Sequence, residues 1–361
     1  SNDIKHATRL MEGGGMPLLF RGAVTPVLNW LKSLSTTILD ANPSLWVMYA
    51  SALLFVGQSS TIEQKLQAAE AALQNIELDD ESRDIIGHIA SIRAILAIPQ
   101  YQVETIISQS QRALEFLLPD NLAVRTATTW TLGFAYELQG NRTAASQAYT
   151  EAMATSQAIG HIIINIAAAI GLGNIQETDS QLHLAAKTYQ YVLEVVSDPP
   201  PVACEAYLGL ARIYYQWNDL DTAQEYGQQC AQLARQIDNM DTFAFCEVFF
   251  ARLKFIQGDL ADATARLVTA EQFVLQRNFE HRMPEIAAAQ VLNLLHQGNL
   301  AGAAHLAKQH ELPISQARVH LARGEASAAL AVLCPLGKQV EVKGEADKYL
   351  KVIILQAVAH H

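Results

Sequence analysis

Thr131-Leu132-Gly133-Phe134-Ala135-Tyr136-Glu137-Leu138-Gln139-Gly140-Asn141-Arg142-Thr143-Ala144-Ala145 reads as an apolar helix, a Gln-Gly-Asn turn and the start of a second helix. The same order returns in Leu253-Lys254-Phe255-Ile256-Gln257-Gly258-Asp259-Leu260-Ala261-Asp262-Ala263 and in Leu294-Leu295-His296-Gln297-Gly298-Asn299-Leu300-Ala301-Gly302-Ala303. In all three an alanine follows the glycine by five residues. A fourth copy, Ile213-Tyr214-Tyr215-Gln216-Trp217-Asn218-Asp219-Leu220-Asp221-Thr222-Ala223, replaces the glycine with Asn218. Glycine and asparagine are the residues that enter a left-handed backbone most cheaply, so the turn geometry is kept. Gly57 and Gly324 mark two further turns.

Positions 218, 258 and 298 are 40 residues apart, while 57 to 140 and 140 to 218 span 83 and 78, each close to two periods. A repeat of about 40 residues with one tight internal turn is a helix-turn-helix hairpin of the tetratricopeptide type. Leu132, Gly133, Tyr136, Ala145, Tyr149 and Ala152 hold the large and small positions of that pattern, as do Leu210, Ala211, Tyr214 and Ala223. Small residues are required where the two helices cross, and large ones fill the space between successive hairpins. Helical spacing recurs elsewhere, as in Ile85, His88, Ile89 and Ile92 and in Val268, Ala270, Glu271 and Val274, and no alternating strand pattern competes with it. Prolines Pro43, Pro99, Pro119, Pro199-Pro200-Pro201, Pro284 and Pro313 fall between the helical stretches. The expected fold is all-α, a right-handed superhelix of hairpins forming one solenoid over residues 1–361, with a possible joint at 198–202.

Of the 361 residues 50% are hydrophobic and 17% charged, which excludes a disordered chain. Lysine and arginine total 25 against 36 acids, a net charge of -11, and a phosphate backbone needs the opposite sign, so no direct nucleic-acid partner is expected. No stretch reaches the ~20 apolar residues of a membrane span. Ile162 to Ile175, the nearest, is broken by Asn165 and Asn174, and the sequence reads as cytoplasmic, with no membrane partner. Cys204, Cys230, Cys246 and Cys334 match neither zinc nor redox spacing and are expected to be reduced core residues.

Catalytic chemistry finds no foothold. Gly13-Gly14-Gly15-Met16 leads into Pro17 and not the Lys of a phosphate loop, and reads as a connection. Gly171-Leu172-Gly173 lacks the third glycine of a dinucleotide fingerprint. His305 and His310 point to different helix faces, His281 beside Glu280 is a surface dipeptide and His360-His361 close the sequence, so no metal set forms. Asp79-Asp80-Glu81 reads as a helix N-terminal cap. No G-x-S-x-G elbow is present, and no enzyme is expected.

A stack of hairpins leaves a concave wall lined by the first helix of each. That register places Trp130, Phe134 and Glu137 there, then Asn174, then Leu208, Arg212 and Tyr215, then Val248, Arg252 and Phe255, then Leu292 and His296. Aromatics with two arginines suit a small polar ligand, a peptide or a partner segment. Large side chains at helical spacing also pack between repeats, and both readings stay open at each position.

The segments Phe20-Arg21-Gly22-Ala23-Val24, Val27-Leu28-Asn29-Trp30-Leu31-Lys32-Ser33-Leu34, Asn42-Pro43-Ser44-Leu45 and Tyr49-Ala50-Ser51-Ala52-Leu53-Leu54-Phe55-Val56-Gly57 add a further signal. With Arg112-Ala113-Leu114, Leu118-Pro119, Arg125, Leu132-Gly133, Trp217-Asn218-Asp219-Leu220, Ala329-Leu330, Leu333 and Ile353 to Ala359, their order resembles the MalT-like sensor region of the large ATP-dependent regulators of the LuxR type. The likeness spans nearly the whole sequence. It implies an upstream nucleotide-binding module that takes ATP, a downstream DNA-binding module, and between them this cofactor-free domain. It also implies recognition of an inducer or a protein or peptide partner, followed by self-association of the full regulator. The alternative is a constitutive interaction scaffold without a small-molecule site; an open, continuous groove would indicate the scaffold, and a concavity with convergent polar groups such as Arg212 and Arg252 the sensor. One departure is visible: Gly298 and Gly324 are 26 apart, so a hairpin there is shortened.

Overall fold

The computed structural model describes residues 19, 24–56, 58–74, 79–195, 200–236 and 241–361, and among them every regular element is a helix. Gly57, Gly13-Gly14-Gly15, Phe20 to Ala23 and, of the expected joint, Asp198 and Pro199 lie outside the described residues. Two compact units divide the chain, residues 1–171 and 172–361.

The first unit contains α1 (Val24–Ser33), α2 (Thr36–Asp40), α3 (Pro43–Phe55), α4 (Ile62–Leu73), α5 (Asp80–Leu96), α6 (Val103–Phe116), α7 (Leu122–Leu138) and α8 (Arg142–Ile159). Helix α9 (Ile162–Thr178) contains the division between the units. The second unit continues with α10 (Leu182–Glu194), α11 (Cys204–Gln216), α12 (Leu220–Ala234), α13 (Thr242–Ile256), α14 (Leu260–Gln276), α15 (Met283–His296), α16 (Leu300–Gln309), α17 (Pro313–Ala322), α18 (Ala326–Val342) and α19 (Ala346–His360). Consecutive helices pack as antiparallel pairs, the strongest being α7 with α8, α11 with α12 and α13 with α14.

The repeated turn has a double cause. Gly140, Asn218, Gly258, Gly298 and Gly324 all take positive φ, which ends the first helix of a hairpin. The residue after the turn then caps the second helix: Asn141, Asp219, Asp259 and Asn299 each accept a hydrogen bond from the amide three residues on. Tyr101 and Ser180 occupy the same left-handed position, so turns at 101, 140, 180, 218, 258 and 298 succeed one another at intervals of 38 to 40 residues. Asp79 caps α5 through the Ser82 amide at 2.8 Å, as the acidic run predicts.

Five residues beyond five of those turns, Ala145, Ala185, Ala223, Ala263 and Ala303 are at most 1% exposed, while Ile106 takes that place after Tyr101 and is equally buried. The alanines sit at hairpin crossings packed around a small side chain, where a larger one would push the helices apart. Between hairpins the filler is a buried tyrosine. The Tyr149 ring lies against Gly133 and Gly171, and the Tyr189 ring against Gly173 and Gly209, so closely that a methyl group at any of the four would collide with it. The Gly171-Leu172-Gly173 run is therefore a packing device on α9.

Two expectations need revision. Cys230 on α12 and Cys246 on α13 are joined as a disulfide, with Cα atoms 6.8 Å apart, while Cys204 and Cys334 are free. The 16-residue spacing crosses one inter-helix turn and brings both fully buried side chains to a single contact. Proline is also not confined to helix boundaries, since Pro335 lies inside α18. The 26-residue interval is a true shortening: α16 and α17 have 10 residues each, against 17 in α14 and α18.

Candidate functional site: a cationic groove in the second unit

A cavity of about 830 Å³ opens in the second unit, walled by α11, α13, α15, α17 and α19 with contributions from α14 and α18. Its floor is apolar, with Leu267, Leu292, Ile314, Leu336 and Val340 among its lining residues. Tyr215, Arg252, Phe255 and Leu292 come from the expected set. Arg252 and Phe255 are three apart on α13 and so share one helix face. Phe255 packs edge-on against His296, their ring centroids 4.1 Å apart, and Tyr215 packs edge-on against Phe249.

The charges in this cavity are unusual. Both Arg252 and Arg318 line the groove, and among the described residues neither makes an ion pair or hydrogen bond. Arg252 is open to the groove yet flanked closely by protein, and this desolvation, together with the positive charge of Arg212, lowers its pKa. Desolvation also lowers the pKa of Arg318, and the positive charge of Arg252 lowers it further. The two guanidinium groups therefore repel each other in the same space. Lys343 adds charge to the lining, while Lys348 and Lys351 are held at 3.0 Å by Glu345 and at 3.2 Å by Asp347. Asn293, also in the lining, donates from Nδ2 to Thr264 Oγ1 at 2.7 Å and leaves its buried Oδ1 without a donor. Burial raises the Tyr215 hydroxyl pKa, with the Arg252 charge opposing it.

The other expected residues are placed differently. Arg212 is gripped by Glu177 through two hydrogen bonds of 2.8 and 2.7 Å. Burial opposes its charge, but Glu177 outweighs that and raises its pKa. Glu177 and Asn174 also accept from the Tyr189 hydroxyl, at 3.3 and 2.7 Å. Arg212 and Asn174 thus belong to a network that ties successive hairpins together. Glu137 has the corresponding role in the first unit, accepting from the Tyr149 hydroxyl at 2.7 Å. Trp130 and Phe134 stack on one face of α7 with centroids 6.3 Å apart, away from the first unit's cavity. Leu208 and Val248 do not line a groove; they are 4% and 5% exposed and face the helix-helix core.

Arg318 and Asn293 were not anticipated. Yet Arg212, Arg252 and Leu292 each stand six residues before a turn at 218, 258 or 298, and six residues before Gly324 is Arg318. The signal was present in the register and was hidden only by the shortened hairpin.

The first unit has a cavity of about 810 Å³ of another character, lined by Asp80, Glu81, Asp84, Asp120, His88 and His161 among others. Asp84 accepts from the Leu118 amide and from Asn121 Nδ2, both at 2.8 Å. His88 lies 3.4 Å from Ser51 Oγ, and burial pushes its pKa down to about 4. Among the described residues no group of three or more His, Cys, Asp or Glu side chains is placed to hold a metal ion, and no helix is long and apolar enough to cross a membrane.

Known structures share this architecture. The apo quorum sensor NprR from B. thuringiensis superimposes with a TM-score of 0.66 at 13% identity, covering 98% of this chain and 99% of that one. A Rap protein complexed with competence and sporulation factor gives 0.62 at 11% identity, covering 89% and 97%. NprR in complex with its cognate peptide NprX gives 0.60 at 13% identity, covering 87% and 98%. At these identities the likeness is one of fold. No curated protein matches the sequence. The profile of the MalT-like TPR region, however, matches residues 87–361, and the chain belongs to that family.

Proposed function

We propose that the second unit's groove receives a peptide or an extended segment of a partner protein, and that the chain is the sensing domain of a LuxR-type transcription regulator. The observation that carries this reading is the cavity walled by successive hairpins, apolar at its floor and bearing arginines that the fold does not neutralise. The complex of the structural relative NprR with its cognate peptide NprX supports the same class of ligand. No step of chemistry is assigned to the domain. ATP binding and DNA binding belong to the modules that flank such domains in the full regulator.

Signalling follows from repeat mechanics. A ligand touching α11, α13, α15, α17 and α19 together bridges several hairpins, so it favours whichever arrangement of those hairpins brings its contacts into register. Only that difference in affinity between arrangements is available to drive a relay toward self-association. The cavity volume also lies within the range of small-molecule sites, so a compact inducer is the second reading.

Fluorescence anisotropy with pools of labelled, acetylated octapeptides tests the first reading. Saturable binding that is weakened at least tenfold by Phe255→Ala is the expected result. If no pool binds while the full regulator still answers its inducer, the groove is not the peptide site.

A further inference from the structure

Arg252 and Arg318 come from different hairpins, α13 and α17, and converge on one cavity. We propose that together they grip a carboxylate of the peptide, either an acidic side chain or the free C-terminus, while the apolar floor holds its neighbouring side chains. This rests on the peptide-groove reading above and adds the chemistry of the ligand.

The surroundings of these two arginines differ from those of the guanidinium groups that hold this fold. A guanidinium placed for stability has a carboxylate or carbonyl acceptors, as Arg212 has in Glu177 and Arg93 has in Glu63 and Glu70. Among the described residues Arg252 and Arg318 have neither, although the chain carries 36 acids against 25 basic residues, so acidic side chains are in surplus. The two acids in the cavity lining pair with other cations, Glu285 with Arg282 at 3.6 Å and Glu345 with Lys348 at 3.0 Å, and Glu285 reaches Arg252 only through its charge. Glu285 and Glu177 favour the charge of Arg252 only from a distance, without touching it, and an oxyanion bridging Arg252 and Arg318 in the shared cavity would meet both guanidinium groups directly. A planar carboxylate matches the guanidinium fork, which accounts for arginine at both positions. Asn293 Oδ1, buried in the same wall without a donor, offers an acceptor to a backbone N–H of the same ligand after a rotamer change.

The deciding experiment compares three arrays of acetylated octapeptides that are random except for one fixed residue, Asp, Asn or phosphoserine, all ending in an amide, plus an Asn array with a free C-terminus. The Asp array, the free-carboxylate array or both should bind the 361-residue chain at least tenfold more tightly than the amidated Asn array. Arg252→Gln and Arg318→Gln should each abolish that preference without lowering Tm, because each removes repulsion in the unliganded protein. Arg318→Lys should keep part of it, retaining the charge and losing the fork. Lys308→Gln, an exposed change of the same net charge on α16, should leave it intact. Equal binding of all arrays overturns the carboxylate clamp and leaves the peptide groove standing. Tighter binding of the phosphoserine array reassigns the clamp to phosphate and overturns it as stated. Absence of binding by every array removes the groove reading and this one with it. A fall in Tm for both Gln variants would show that the arginines serve the fold.

Discussion

The two cavities of this chain are nearly the same size, about 810 and 830 Å³, and are lined by charges of opposite sign. In the first unit the acids sit at helix starts and hold the fold: Asp84 ties the Leu118 amide and Asn121 to α5, and Asp80 and Glu81 lie in the first turn of that helix. In the second unit Arg252 and Arg318 bond to no other group among the described residues. The difference teaches that sign and volume do not identify a binding site; what does is whether the charges are already committed to neighbours. Stability measurements can separate the two conditions, because a committed charge is missed when removed and an uncommitted one is not.

The first contrast lies in a pair of positions one repeat apart. Arg212 and Arg252 occupy equivalent places on α11 and α13, six residues before their turns. Arg212→Gln leaves the partly buried Glu177 without its bidentate partner, with only the Tyr189 hydroxyl donating to it, and should cost about 2 kcal/mol by urea denaturation. Arg252→Gln should change stability by less than about 0.5 kcal/mol, or raise it. Equal losses at the two sites would erase the distinction between a tie and a ligand group.

A second contrast is one of pH. His88, in the first cavity, has a folded-state pKa of about 4 against an ordinary value of 6.5, because burial disfavours its charged form. The unfolded chain therefore binds more protons between those values. The stability associated with neutral His88 is complete above pH 6.5 and is lost as pH falls toward 4, by about 3 kcal/mol at the limit. His161 shifts in the same direction, again through burial. Denaturant titrations at pH 7 and pH 4.5 should show a smaller acid loss in His88→Gln than in the unaltered chain. The arginines of the second cavity remain charged throughout this range, so acid should weaken the first unit before the groove. An acid loss unchanged by the substitution would remove His88 as its cause.

The scaffold could be read from the sequence because its rules are local. Turn glycines, the cap that follows them and the alanine five residues on each answer to backbone geometry within one hairpin. Where another residue took the left-handed position, as Ser180 and Tyr101 do, the period was seen only as a doubled interval. The site was legible in half measure. Tyr215, Arg252 and Phe255 were placed by register alone, but register could not tell Arg252 from Arg212, because the distinction lies in Glu177, 35 residues before Arg212 and in another hairpin. The Tyr149 and Tyr189 hydroxyls likewise draw Glu137 and Asn174 into the packing between repeats, a demand made by two buried rings and invisible to spacing. Arg318 was missed for a simpler reason: two helices of 10 residues shift the frame. The Cys230 and Cys246 pairing depends on a meeting of α12 and α13 that intervals alone do not encode.

If the units differ in the commitment of their charges and not in their frame, then equivalent frame positions should respond alike. Ala145 on α8 and Ala223 on α12 both stand five residues after a turn, and both are fully buried at a hairpin crossing. Leucine at either position adds three carbons where helices touch and should lower stability by about 2 kcal/mol through overpacking. Neither residue lines the groove, so Ala223→Leu should leave peptide affinity within about threefold of the parent, provided the measurement is made well below Tm. Similar losses in Ala145→Leu and Ala223→Leu would show one packing rule operating in both units, with ligand recognition laid over it in the second. A loss confined to one of them would mean that the forty-residue register is not a common frame, and the assignment of Arg252 and Arg318 to equivalent positions would fall with it.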